Sequence, residues 1–138
     1  MATFVIYLSL FLSCLLMHAQ NSIEVTVEGF SNDQGMAVIG LYDTKTDFME
    51  KEFRITTQPI RNQSASYLFK NVPDGTYAIA VFHDEDEDGE FDILFGLFAI
   101  EDYGVSNNTP PRFKPPQWED ARFKVLKGTE ITQQIRLF

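Results

Sequence analysis

The chain has a single cysteine, Cys14, in 138 residues, and only two histidines. A disulfide framework is thereby excluded, and a zinc site built on thiolates with it. Basic residues are also scarce: 11 Lys and Arg stand against 20 Asp and Glu, a formal charge of −9. Nucleic acid is excluded as a partner on that balance, since clustered cations must neutralise its phosphates. Docking on an anionic lipid surface is opposed for the same reason. No apolar run reaches the roughly 20 residues of a membrane-crossing helix, and no long stretch has the apolar spacing of an amphipathic helix. The length allows one domain and excludes a multidomain enzyme.

The longest uncharged apolar run, Phe4 to Met17, has the length of a secretory h-region. It leads into Met17-His18-Ala19, which puts a small residue where a signal peptidase cuts. Cleavage after Ala19 is the expectation, leaving residues 20–138 as one exported domain, periplasmic or extracellular. Met17 is bulky for its position, and no Lys or Arg precedes the run. Two alternatives therefore stand beside cleavage: an uncleaved N-terminal anchor, and lipid attachment to Cys14 in Phe11-Leu12-Ser13-Cys14. Apolar residues continue past Cys14 to Met17, which speaks against the lipid. After cleavage no membrane insertion is expected and no cysteine remains. A domain of about 120 residues must then be held by its own core, which that size permits.

The mature part reads as short strands between turns. Ile23, Val25 and Val27 alternate with Glu24, Thr26 and Glu28, the pattern of a half-buried strand. Ser31-Asn32-Asp33-Gln34-Gly35 is turn chemistry, and 36–42 is apolar on both faces, so a hairpin is expected here. Residues 44–52 lack alternation and suit a helical turn or an insertion. Residues 54–60 form an edge strand, because Pro59 removes a ladder donor. Ala65, Tyr67 and Phe69 share one face of a strand over 64–72. Pro73-Asp74-Gly75 turns the chain into 76–83, apolar on both faces and therefore central. Between 84 and 117 little regular structure is expected. Ala121, Phe123 and Val125 alternate in a further strand, and Ile131, Ile135 and Leu137 mark the last. About seven strands without a long helical segment predict an all-β fold, an antiparallel β-sandwich.

One constellation carries chemistry. His83-Asp84-Glu85-Asp86-Glu87-Asp88-Gly89-Glu90-Phe91-Asp92 holds seven carboxylates. Asp84, Asp86, Asp88, Gly89 and Asp92 match the first nine positions of a calcium-loop template, with the glycine at its sixth. A hard divalent cation takes about six to eight oxygens, and the glycine lets the backbone fold around it. The twelfth position, a bidentate Glu in an EF-hand, is Phe95, and a strand rather than a helix enters the loop. A further ligand must come from elsewhere, and Glu101 or Asp102 is the expected source. The expected cofactor is therefore Ca²⁺, held by Asp84, Asp86, Asp88, Asp92 and Glu101 with an affinity of about 10⁻⁴–10⁻³ M. The competing reading is a solvated acidic loop that binds nothing and keeps a strand edge soluble. Zinc is disfavoured, because His83 is the sole nitrogen ligand after cleavage.

Other features are weaker. A Ser-His-Asp triad would have to use His83, which reads better as a strand-ending histidine. Ile93 to Ile100 is an apolar run, either an exposed patch or, preferably, core cover. Pro110-Pro111 and Pro115-Pro116 near Trp118 read as a rigid connector rather than a polyproline ligand. Asn62-Gln63-Ser64 and Asn107-Asn108-Thr109 are glycosylation sequons in a eukaryotic host only.

Pro73-Asp74-Gly75-Thr76-Tyr77-Ala78-Ile79-Ala80-Val81-Phe82-His83-Asp84, followed by the Asp/Gly-rich loop to Phe91-Asp92, resembles a secreted bacterial family of unknown function, DUF 2141. Glu101-Asp102-Tyr103-Gly104-Val105-Ser106-Asn107-Asn108 and the Phe113 region carry the same resemblance, which extends from about Ile23 to Leu137. It implies an exported prealbumin-like or immunoglobulin-like sandwich and brings no activity. The chain departs from the family pattern at Leu97-Phe98-Ala99, where a proline is usual, and at Asp102, where a glycine is. The strand at Gly75-Thr76-Tyr77 is also similar to carboxypeptidase-regulatory and transthyretin-like domains, a likeness of fold alone.

The expectation is an exported, non-enzymatic binding or accessory module without a catalytic residue, its partner an unidentified protein or glycan. One alternative is a small extracytoplasmic hydrolase that sets carboxylates of 84–92 against Glu101 or Asp102. Another is an adhesin or assembly subunit that meets a neighbour through 93–100.

Overall fold

The computed structural model describes residues 20–90, 93–94, 98–99, 101–110, 112 and 114–138, with the side chains of 93–94 and 98–99 excepted. The expected signal segment, residues 1–19, lies outside the described residues, as does Asp92.

Among the described residues ten strands follow one another: β1 (Asn21–Glu28), β2 (Met36–Tyr42), β3 (Arg54–Pro59), β4 (Ser64–Val72), β5 (Gly75–Asp84), β6 (Ile93–Leu94), β7 (Phe98–Ala99), β8 (Tyr103–Val105), β9 (Phe123–Val125) and β10 (Glu130–Arg136). One main sheet has the order β10-β1-β4; the second has β3-β2-β5-β8, with β9 on the far end of β5, and β6 with β7 forms a small two-stranded sheet. Two sheets face to face make a sandwich, as the alternation predicts. β3 is an edge and β5 is central, as Pro59 and the two apolar faces of β5 require.

Ile23, Val25 and Val27 on β1 meet Ile39, Leu41, Ile79 and Val81 of the opposite sheet in one core. Each such side chain contributes about 1.5–3 kcal/mol by leaving water. The outer face of the first sheet is solvated and mostly polar, with Glu24, Thr26 and Glu28 turned away from that core and Leu68 exposed opposite Glu24. The outer face of the second sheet is covered instead. Tyr42, Ala78, Ala80 and Val105 bury there under Phe48 and Ala121, with Trp118 alongside. The turn segment 45–50 and the short helix Trp118–Ala121 form this cover. Phe48 stands edge-on to Tyr42 at 5.3 Å and to Trp118 at 5.8 Å. An ion pair, Lys45 with Glu119, ties the two pieces together, and its hydrogen bond holds the Glu119 carboxyl below the usual carboxylate range.

Three expectations are corrected. The hairpin of β1 with β2 does not form, because the two strands lie in different sheets. Residues 29–35 cross between the sheets: Gly29 has φ +89°, and Phe30, 2% exposed, buries its ring between them. The antiparallel sandwich itself stands, with one parallel pair in it, β1 with β10 from Ser22↔Glu130 to Glu28↔Arg136. The stretch 84–117 holds more order than expected. β8 adds to β5 through Val81↔Gly104, and β6 pairs with β7. The strand expected from Ala121 is shorter at its start, because Ala121 ends the helix.

Both edges of the sandwich are stitched. At one, the Arg54 guanidinium donates to the carbonyls of Lys70 and Asn71. At the other, Phe138 N donates to the Tyr103 carbonyl at 3.0 Å, and the Asn108 side chain bonds both Gln134 O and Arg136 N. Gly104 lets β8 come this close, for a Cβ there would meet Arg136 O at 2.7 Å. Asn107, with φ +65°, donates through Nδ2 to the carbonyls of Asp120 and Arg122. The second sequon is thus a structural clamp.

Candidate metal centre

β5 ends in two buried polar residues, His83 and Asp84, at 2% and 4% exposure. A buried carboxylate needs hydrogen-bond donors, and the chain supplies them by turning back on itself. Asp84 Oδ1 accepts from Asp88 N at 3.1 Å and Oδ2 from Gly89 N at 3.0 Å. Asp86 Oδ1 accepts from Asp88 N at 3.3 Å, and Asp88 Oδ1 from Glu90 N at 2.8 Å. Short acidic side chains that bond backbone two residues on are the ordinary device for such a turn. Glu87 at φ +59° and Gly89 at φ +78° complete the reversal.

The outcome brings three of the expected ligands together. Oxygens of Asp84, Asp86 and Asp88 lie within 4.8 Å of one another. Asp86 and Asp88 are exposed, while Asp84 forms the buried base. A carboxylate oxygen that accepts one backbone N–H still has lone-pair capacity for a cation. The triad could therefore hold a metal ion and supply part of an oxygen shell. Asp92, expected as the ninth-position ligand, and Phe95 lie outside the described residues. Glu101 is half-buried and stands outside the triad. Its segment does return beside the loop, since His83 N donates to the Asp102 carbonyl at 2.9 Å.

His83 serves the frame. Its Nε2–H donates to the Gln34 carbonyl at 2.6 Å, and its ring meets Phe30 edge-on at 5.3 Å. That engagement fits the strand-ending histidine and leaves Nε2 committed to the backbone.

The sheet-crossing segment 31–35 braces the loop, a role that sequence reading assigned only to a turn. Asn32 Nδ2 donates to Glu85 Oε1 at 2.8 Å. Asn32 Oδ1 accepts from Gln34 N at 2.8 Å. Gly35, at φ +68°, sits directly against the Asp84–Glu85 backbone. Next to it, the Asp33 carboxylate accepts from Asn62 N at 2.9 Å and Gln63 N at 2.6 Å. Both those residues have positive φ, the geometry of a tight hairpin turn between β3 and β4. Asx chemistry in 31–35 was visible in the sequence; the long-range partners, Glu85 and the 62–63 turn, were not.

No helix among the described residues is long and apolar enough to cross a membrane. Comparison with curated proteins gives no match, and comparison with solved structures gives none. The model of the family DUF2141, described as an uncharacterized protein conserved in bacteria, matches residues 25–134, which is most of the chain, and the protein belongs to that family.

Proposed function

We propose that this protein is an exported, non-enzymatic β-sandwich module, periplasmic or extracellular, whose acidic loop is ordered by calcium so that it can meet a protein or glycan partner. The observation that carries the reading is the convergence of Asp84, Asp86 and Asp88 to within 4.8 Å on a buried base. Oxygen-only ligands suit a hard cation. Bringing three carboxylates together costs Coulomb repulsion, and a bound cation would offset it. Asp92 and Glu101 are the proposed further ligands. Export is supported by the apolar run ahead of Ala19 and by the position of β1, whose first residue, Asn21, is already tied into the fold. The hydrolase alternative gains nothing here, because Asp86 and Asp88 face solvent.

The test is the melting temperature of residues 20–138 in EDTA, in millimolar calcium and in millimolar magnesium. With a dissociation constant of about 10⁻⁴–10⁻³ M, about 10 mM calcium would stabilise by about 1.4–2.7 kcal/mol. For a domain of this size the rise is about several degrees. A rise selective for calcium supports the reading. Equal curves in all three buffers would make the loop a solvated turn and remove the calcium part of the proposal.

A further inference from the structure

The covered face of the second sheet contains a recess. β2 and β5 place Gly40 opposite Ala80, and β3 places Ile55 on the other side of Gly40. Directly opposed residues of antiparallel strands point to the same face, so two small residues stand side by side among large ones. The resulting cavity measures about 220 Å³. Around its floor stand Tyr42, Met49, Glu52, Ile55, Phe82 and Tyr103, with Gly89 of the acidic loop at its margin. The floor is well screened: Val38 is 5% and Ala80 9% exposed.

The wall chemistry is one-sided. Among the described residues that line the recess there is one carboxylate, Glu52, and no Lys or Arg. Glu52 is exposed, and its Oε1 accepts the Tyr42 hydroxyl at 3.3 Å, which fixes the carboxylate at the rim. Gly40 makes room for this pair, since a Cβ there would stand 3.1 Å from both Glu52 Cγ and the Tyr42 hydroxyl. Aromatic rings and a carboxylate around an apolar floor favour a cation with an apolar body. A chain of net charge −9 raises the local concentration of such cations. The volume lies below the roughly 300–1,000 Å³ of sites for drug-sized ligands, which limits the occupant to a small molecule.

We infer that this recess binds a small primary organic ammonium ion, its apolar body on Val38 and Ala80 and its ammonium at Glu52. The site is separate from the calcium reading, because the Asp84, Asp86 and Asp88 side chains do not line it.

Amide chemical shifts of the isotope-labelled protein test it, in titrations with n-butylammonium, with its neutral isostere 1-butanol and with the anion pentanoate, all carrying the same butyl chain. Each is run in EDTA and again in calcium. Saturable shifts centred on Val38, Ala80 and Phe82 are expected with butylammonium in both buffers, weaker ones with butanol, and none with pentanoate. Glu52→Gln, at an exposed position, should keep the spectrum of the folded protein and weaken butylammonium by about tenfold or more. Equal affinity for butanol, an unaffected Glu52→Gln variant, or unsaturable shifts scattered over the surface would each overturn the assignment. The EDTA titrations keep its failure distinct from failure of the calcium site.

Discussion

Gly35 lies in the crossing from β1 to β2 and Asp84 ends β5, and a Cβ on Gly35 would stand 2.1 Å from the Asp84 carbonyl oxygen. The next nearest atoms, Glu85 Cα at 2.6 Å and Glu85 O at 2.8 Å, are also backbone. The base of the acidic loop therefore rests on a position that only glycine can fill.

Gly35→Ala is expected to destabilise the protein far more than Gly89→Ala. Both glycines have positive φ, +68° and +78°, so each substitution incurs the left-handed penalty of about 1–2 kcal/mol. Gly89 has no heavy atom within 4 Å of its added carbon, and the cost should end there. At Gly35 the backbone of 84–85 must move as well, which displaces Asp84 and disturbs the triad. Urea unfolding midpoints of the two variants check the order. Equal midpoints would mean that the contact between 35 and 84 relaxes freely.

Asp86→Ala and Asp84→Ala separate the metal role of the loop from its structural role. Asp86 is exposed and its removal should change metal-free stability by no more than about 0.5 kcal/mol. It should abolish any calcium-dependent rise in melting temperature. Asp84 is buried and satisfies the backbone of Asp88 and Gly89. Its loss should cost about 1–3 kcal/mol even in EDTA, because those donors lose their acceptor. Melting curves of both variants with and without calcium decide the matter. An undiminished calcium response in Asp86→Ala would place the ion elsewhere.

Ser106→Ala is expected to cost about 1–3 kcal/mol although it removes a single oxygen. Ser106 is fully buried. Its hydroxyl donates to the Ala121 carbonyl and accepts from Ile79 N at 2.9 Å. Alanine leaves both backbone groups unpaired in an apolar surrounding. Faster hydrogen exchange at the Ile79 amide, together with the lower unfolding midpoint, would show that this bond carries the effect.

How much of this was legible follows from the range of each interaction. Alternation at Ile23, Val25 and Val27, and the two apolar faces of β5, depend on neighbours in sequence and read correctly as sandwich strands. The triad was legible for the same reason, since Asp84, Asp86 and Asp88 are brought together by turns inside one short loop. The hairpin of β1 with β2 failed because turn residues at 31–35 announce a reversal without saying which sheet receives it. Phe30 decides that by burying between the sheets. β8 was missed because Tyr103-Gly104-Val105 is too short to show a period, and its pairing depends on β5 and β10. The recess was equally hidden: Gly40 and Ala80 are ordinary strand residues until register sets them side by side.

Tyr42 gives a prediction in pH. Burial is the main cause that pushes its hydroxyl above the ordinary value near 10, with the charge of Glu52 and its hydrogen bond adding to the shift. Tyr77 and Tyr103 are raised too, chiefly by burial. A phenol whose folded value is raised holds its proton more tightly in the native state. Its contribution to stability is complete below the unfolded value of about 10 and is lost progressively as pH rises above it. Unfolding free energy should therefore be insensitive to these phenols up to about pH 9 and fall steeply beyond about pH 10. Tyr42→Phe should flatten that alkaline fall, because the largest of the three shifts is removed, while leaving the slope at neutral pH alone. Urea unfolding of both proteins from neutral to alkaline pH, with phenolate absorbance followed in parallel, checks it. If Tyr42→Phe fell as steeply as the parent, burial of this hydroxyl would not be what links the fold to alkaline pH.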